Sequence, residues 1–119
     1  MNLERGDVLK ARFPHASGTR GKKRPVVVVQ ANTYNQRLRH VVVAQITANL
    51  AEQSDPSCIL INANTPEAIA TGIQRDSLIS CALLSVMSED RLTEKIGKLT
   101  PPLLTKLDRC LKIVLGISI

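Results

Sequence analysis

The sequence predicts a mainly β fold that ends in a single helix. Three observations support this prediction. Residues 7–13 alternate between apolar and charged side chains, residues 25–30 are almost entirely apolar and β-branched, and the hydrophobic period changes to that of a helix after residue 99. A chain of 119 residues has the usual size of one hydrophobic core, so we expect residues 1–119 to form a single domain.

The first two thirds of the chain contain five strand-like segments. DVLKARF (7–13) has the alternation of a half-buried strand, and PVVVVQ (25–30) predicts a central strand, with Pro25 tolerated at its first position. Three further segments follow at 40–47, 57–62 and 76–87. The last of these is long enough to bend or break. The polar connection 31–39 is too short for a parallel crossover, so the strands on either side pair antiparallel if they are neighbours.

The remaining segments are loops and one helix. Residues 48–57 and 63–72 are polar and contain proline, which predicts loops, the second with a helical turn in PEAIA. The C-terminal helix has Thr100 as N-cap, Pro101 at its first position and Gly116 as its end. Its apolar side chains share one face: Leu103, Leu104, Leu107, Cys110, Leu111, Val114 and Leu115. A small, curled, mostly antiparallel sheet with one terminal helix is typical of an SH3-like β-barrel.

Charge and aromatic content narrow the class of partner. Sixteen Lys and Arg against ten Asp and Glu leave a net charge of +6, which attracts polyanions and makes nucleic acid the first partner to consider. The positive charge is concentrated in GTRGKKR (18–24) and at Arg37 and Arg39. Tyr34 and Phe13 are the only aromatic residues, which excludes a protein that stacks successive bases on several rings.

Several other classes are excluded by what the sequence lacks. Cys58, Cys81 and Cys110 stand in apolar contexts without ligand spacing, which predicts buried, reduced thiols. His15 and His40 are too few for a metal cluster, so we expect no metal and no cofactor. The motifs of nucleotide hydrolases, dinucleotide enzymes, zinc proteases and serine hydrolases do not occur. No signal peptide or membrane-spanning segment is recognisable, which predicts a cytoplasmic protein that does not associate with a membrane.

Arg24 is the first candidate site residue. Pro25 restricts it to an extended conformation at a strand entrance. A solvated surface charge explains such an arginine, but a guanidinium also suits a phosphate that accepts two parallel hydrogen bonds. The glycines at 18 and 21 would then let Arg20, Lys22 and Lys23 follow the flanking phosphates.

Five short motifs follow one another along the chain. They are GDV (6–8) in the first strand, GTRGKKRPVVVV (18–29) across the first hairpin, QIT (45–47) ending the third strand, RDSLI (75–79) opening a later strand and RLTEKIGKL (91–99) before the helix. Together they resemble the MazF/PemK family of toxin endoribonucleases. The resemblance covers essentially the whole chain, and the order and gaps of the five motifs make it specific.

The resemblance implies a cytoplasmic bacterial toxin of a toxin-antitoxin pair, folded as an SH3-like barrel and working as a homodimer. Toxins of this family cleave single-stranded RNA at short sequences without a metal, leaving a 2′,3′-cyclic phosphate and a 5′-hydroxyl. The family's catalytic arginine corresponds to Arg24, and its catalytic threonine corresponds to Thr47. The resemblance also implies a cognate antitoxin, whose acidic, disordered tail would lie over the same basic surface.

These residue types suit RNA cleavage by a 2′-hydroxyl. Arg24 can stabilise charge on the phosphoryl oxygens but is a poor base, because its guanidinium keeps its proton. Thr47 can donate a hydrogen bond to phosphate or orient the attacking hydroxyl, although a buried threonine with a satisfied hydroxyl also explains it. His15 and Asp76 are the candidate acids and bases. Each has an ordinary explanation as well: an exposed loop histidine, and a strand-start contact or a salt bridge with Arg75.

One segment departs from the family pattern. Many members have an acidic or amide residue in the strand after the Asp-Ser pair, and this position falls at Ala82 or Leu83 here. Three functions therefore stay open: a toxin that cleaves RNA, a toxin of the same fold that binds a protein such as DNA gyrase, and a basic RNA-binding module without catalysis.

Overall fold

The computed structural model describes residues 1–13 and 21–118, and within them the chain forms one antiparallel sheet and three α-helices. The strands are β1 (Asp7–Arg12), β2 (Lys23–Val28), β3 (His40–Thr47), β4 (Cys58–Ile61), β5 (Ser77–Ser88) and β6 (Leu92–Lys98). The helices are α1 (Asn32–Asn35), α2 (Pro66–Thr71) and α3 (Pro101–Leu115), with a 3₁₀ turn at Glu89–Arg91. The strand order is β4-β5-β3-β2-β1-β6, and every pairing is antiparallel.

The sheet buries both of its faces. In β2, Val27 belongs to a cluster that includes Leu103 and Leu107 of α3, whereas Val26 and Val28 belong to a second cluster with residues of β1, β3, β5 and β6. Alternate residues of one strand point to opposite faces, so both faces have an apolar core. A small sheet achieves this by curling, which confirms the predicted mainly β, SH3-like architecture with a C-terminal helix.

Helix α3 begins and ends at the predicted residues. It starts at Pro101, and Gly116, whose φ is 70°, is its C-cap directly after the last helical residue; Thr100 holds the N-cap position without a side-chain capping bond. The predicted apolar face packs against the sheet except at Leu115, which is 57% exposed. That prediction was wrong because Leu115 is the last residue of the helix and lies at the rim of the apolar face, about 80° from Leu107.

Other elements differ from the sequence prediction. The patterns predict neither α1 nor β6. In β6 the apolar pattern is broken, because Glu94 stands midway between Leu92 and Ile96 and the pairing with β1 has two irregularities. The predicted loop 63–72 contains α2, a longer helix than the expected single turn. β5 continues without a break. Of the three thiols, Cys81 and Cys110 are buried as expected, whereas Cys58 is partly exposed, and all three are free.

Candidate active site

Arg24 and Thr47 line one groove, where β2 begins and β3 ends. The two strands pair antiparallel, with Val28 opposite Val43 and Val26 opposite Gln45. Continuing this register by two residues puts Arg24 opposite Thr47, and opposite residues of an antiparallel pair project to the same side of the sheet. Both side chains line one open groove. The structure therefore joins the two residues that the sequence singled out.

The groove has a volume of about 1040 Å³ and a strongly basic lining. Five basic residues line it: Lys10, Lys22, Lys23, Arg24 and Arg75. None of the described lining residues is acidic. Lys10 has only a loose ion pair, 3.9 Å from its Nζ to Glu94 Oε1, and the other four have no acidic partner in the described part of the chain. Uncompensated positive charge in a concave surface attracts polyanions.

Strand pairing fixes the backbone of Arg24, while its side chain is exposed to solvent. Arg24 is the second residue of β2 and lies opposite Ala11 in β1, and the next residue, Pro25, lies opposite Lys10. The side chain of Arg24 is exposed. A guanidinium anchored by two paired strands loses little conformational freedom when it binds a phosphate.

The hydroxyl of Thr47 accepts one hydrogen bond but donates none to the described residues. Its Oγ1 accepts a hydrogen bond from the backbone N–H of Asn49 at 3.1 Å, and the residue is partly buried. No acceptor for its O–H occurs among residues 1–13 and 21–118. A hydroxyl has one proton to donate, so Thr47 is oriented by its neighbour and can still donate to a ligand.

The other predicted site residues divide into three groups. Lys22 and Lys23 are exposed and line the groove, as expected for phosphate contacts. His15 and Arg20 lie outside the described residues. Asp76 is not a lining residue of the groove, and its Oδ1 accepts a hydrogen bond from the Ala63 N–H at 2.7 Å. The structure thus gives Asp76 the ordinary strand-start contact.

The segment that departs from the family pattern contributes an apolar wall. Ala82 is exposed, and Leu83 is 46% exposed and lines the groove, so no carboxylate occupies this position. The buried thiol of Cys81 faces the core, where burial and the neighbouring thiols of Cys110 and Cys58 raise its pKa to about 12. Cys81 therefore stays protonated near neutral pH.

Sequence reasoning missed several polar residues that line the groove, among them Gln45, Asn49, Gln74 and Arg75. Gln45 could have been found, because it precedes Thr47 by two positions in a strand and so shares its face. Asn49, Gln74 and Arg75 could not, because they lie in loops or turns whose position depends on the packing of the whole sheet. In the described ranges, no group of three His, Cys, Asp or Glu side chains could hold a metal ion. No helix there is long and apolar enough to span a membrane.

Comparison with known proteins decides the family. Residues 4–115 match the family model of the PemK-like, MazF-like toxins of type II toxin-antitoxin systems. The chain belongs to this toxin family. Its relatives include endoribonuclease MazF6 of Mycobacterium tuberculosis, 31% identical over 119 residues that cover 98% of this chain and 100% of that protein. They also include endoribonuclease EndoA of Bacillus subtilis, 32% identical over 118 residues that cover 98% and 97%.

The fold agrees with this MazF/PemK assignment. An endoribonuclease solved in complex with its cognate antitoxin, from a mycobacterial species, superposes with a TM-score of 0.77. The alignment covers 98% of this chain and 98% of that chain at 18% identity. The likeness shows a shared MazF-type fold.

Proposed function

We propose that this chain is a metal-independent, sequence-specific endoribonuclease that cleaves single-stranded RNA, including messenger RNA, and so inhibits growth. The presence of Arg24 and Thr47 together in a groove with five basic and no acidic described lining residues supports this proposal most strongly. The curated relatives at 31% and 32% identity are named endoribonucleases. Because the proposed substrate is messenger RNA, we also propose that the protein acts in the cytoplasm.

The proposed reaction is an internal attack within the RNA. The 2′-hydroxyl loses its proton and attacks the adjacent phosphorus, the bond from phosphorus to the 5′-oxygen breaks, and the leaving oxygen takes a proton. The products are a 2′,3′-cyclic phosphate and a 5′-hydroxyl. Arg24 stabilises the charge that develops on the phosphoryl oxygens, and Thr47 donates its free O–H to one of them. Hydrogen-bond donors that are already in position before the reaction need little reorganisation to stabilise the transition state.

The proton transfers need groups other than these two. Asp76 bonds to the Ala63 N–H outside the groove and would have to leave that contact to act. His15 stands between Arg12 and Lys23, the paired ends of β1 and β2, and keeps its role as candidate acceptor on sequence grounds. Arg20, in the same segment, keeps its proposed role in RNA binding with Lys22 and Lys23.

The test maps the ends that the protein leaves on a long single-stranded RNA. Purified protein is incubated with the RNA in the presence of EDTA, and both kinds of new terminus are identified. We expect 5′-hydroxyl and 2′,3′-cyclic phosphate ends at a limited set of sequences, and none with Arg24→Ala. Arg37→Ala, an exposed arginine outside the groove, is the matched control and should cut like the parent. RNA that stays intact with the parent protein would overturn the proposal.

A basic RNA-binding module without catalysis is the second candidate. One specific observation favours it, namely the absence of a carboxylate from the described groove lining. RNA that is retained in a salt-sensitive way but recovered intact would support this function. Growth inhibition that persists in an Arg24→Ala, Thr47→Ala double variant would instead point to a toxin that acts by binding a protein such as gyrase.

The basic groove also suggests which proteins this chain binds. We propose a homodimer and a cognate antitoxin whose acidic, disordered tail occupies the basic groove, because one positive groove suits either polyanion. A related endoribonuclease was solved with its cognate antitoxin. Sedimentation equilibrium tests the dimer. Simultaneous binding of RNA and antitoxin in a competition assay would contradict inhibition by occupancy.

A further inference from the structure

The groove offers hydrogen-bonding groups to a base but no aromatic ring. None of its described lining residues is Phe, Tyr or Trp. Proteins that distinguish bases in single-stranded RNA use stacking together with hydrogen bonds to the base edges. With rings missing from the described lining, discrimination there depends on the edges. Three side-chain amides line the groove: Gln45, Asn49 and Gln74.

Gln45 is the amide that is held in place. It is partly buried, and its Nε2 donates to Ser85 Oγ at 3.4 Å. Asn49 uses its oxygen within its own turn, accepting from the Ala51 N–H at 3.0 Å. Gln74 is exposed, and its side chain forms no hydrogen bond with the described residues. A preorganised amide loses less entropy on binding than a free one, so Gln45 is the best suited of the three to read a base.

An irregularity of the sheet lies directly beside Gln45. In the pairing of β3 with β5, Ala44 lies opposite Leu84 but Gln45 lies opposite Ser80, so residues 81–83 are extra on β5. The side chain of Gln45 nevertheless bonds to Ser85, beyond the extra residues. Bulges are frequent beside functional sites, where they redirect a side chain. Gln45, whose amide is anchored by Ser85 across this irregularity, lies two residues from Thr47, about 7 Å along the same face of β3.

We propose that Gln45 determines cleavage specificity by reading the base next to the phosphate held by Arg24 and Thr47. The proposal rests on the proposed binding of RNA in this groove. With one N–H on Ser85, the carboxamide retains an acceptor oxygen and a second N–H. Glutamine pairs in this bidentate manner with adenine, accepting from N6 and donating to a ring nitrogen. Adenine is therefore the expected base.

The experiment separates base reading from catalysis. A random pool of 2′-fluoro RNA, which lacks the attacking hydroxyl, is bound to the parent protein, to Gln45→Ala, to Gln45→Glu and to Ser85→Ala, and the bound fraction is sequenced. Gln53→Ala, an exposed glutamine outside the groove, is the matched control. Circular dichroism confirms that each variant is folded.

We expect the parent and Gln53→Ala to enrich adenine at one position. Gln45→Ala and Gln45→Glu should reduce that enrichment at least about fivefold, the lower end of what a bidentate amide-base pair contributes, and leave other positions unchanged. Ser85→Ala should reduce it partially. Unchanged enrichment in Gln45→Ala, or a parent that enriches no adenine, would overturn the inference. If enrichment depends on Gln45 but the parent does not cut natural RNA, the base-reading role of Gln45 stands and the proposed cleavage fails.

Discussion

Arg24 at the start of β2 and Thr47 at the end of β3 line the same groove, two residues beyond Val26 and Gln45, where the pairing of the two strands stops. The adjoining strands hold the backbone of each residue, while both side chains face the groove. The guanidinium is exposed, and the threonine hydroxyl still has its proton to donate. Both donors are therefore accessible from the groove without rearrangement of the fold.

Arg24→Ala should remove RNA cleavage and leave stability unchanged. Loss of a preorganised donor to developing charge lowers the rate by about 10²- to 10³-fold. The side chain is exposed, so the free energy of unfolding should change by less than about 0.5 kcal/mol. Single-turnover cleavage and urea denaturation measure the two effects. Arg24→Lys should recover only part of the rate, because an ammonium cannot make the bidentate contact. Equal rates for Arg24→Ala and the parent would exclude the mechanism.

Thr47→Val and Thr47→Ser should behave differently. Valine keeps the shape but loses the O–H, so we expect the cleavage rate to fall more than about tenfold, within the range for a single lost donor. Serine keeps both the donor and the bond accepted from the Asn49 N–H, so its rate should stay within a few-fold of the parent. Cleavage rates at saturating RNA distinguish the two. A valine variant as active as the serine variant would show that the hydroxyl is not used.

Lys22 and Lys23 should set the salt dependence of RNA binding. Each phosphate contact to single-stranded RNA contributes about 0.7 to the slope of log K against log salt. The double variant Lys22→Ala, Lys23→Ala should therefore lower the magnitude of the slope by about 1.4. Fluorescence anisotropy with 2′-fluoro RNA measures the slope. Lys106→Ala, Lys112→Ala removes equal charge from the exposed face of α3, outside the groove, and should leave the slope nearly as in the parent.

Gly72 should tolerate no side chain. Its φ is +76°, and a Cβ there would overlap the carbonyl oxygen of Ile96, so α2 and β6 could not approach as closely. Gly116 is the matched control, because its φ is +70° but nothing lies within 4 Å of its added Cβ. Gly116→Ala should cost about 1 to 2 kcal/mol of stability from the backbone alone. Gly72→Ala should cost at least about 1 to 3 kcal/mol more. Equal losses in urea denaturation would mean that the contact with Ile96 relaxes freely.

Cys81 should make the protein lose stability at alkaline pH. Burial raises its pKa in the folded state to about 12, so the unfolded chain releases this proton first as the pH rises above about 9. Stability from this group is complete below pH 9 and falls as the pH approaches 12. Cys81→Ala should therefore have a flatter decline between pH 8 and pH 11 in urea denaturation. Ile79→Val, a buried change in the same strand, should lower stability without changing the slope.

The features that could be predicted from the sequence are those that depend on residues within one strand or helix. The alternation of β1, the valines of β2 and the caps and apolar face of α3 were predicted, because each pattern records one element's own contact with the core. Arg24 and Thr47 were predicted through the family resemblance. β6 was missed because its bulged pairing with β1 disturbs the alternation. The exposure of Leu115 was missed because periodicity does not show where the covered surface ends.

The sequence by itself determined five of the six strands, the terminal helix, the basic character of the protein and its family, because these depend on local periodicity, composition and motif order. Only the tertiary structure decided what surrounds Arg24 and Thr47. It brought Arg75 and Leu83 to the groove, turned Asp76 towards the Ala63 N–H and joined Gln45 to Ser85. The physical reason is that bulges and loop positions result from the packing of distant strands, which no local pattern encodes.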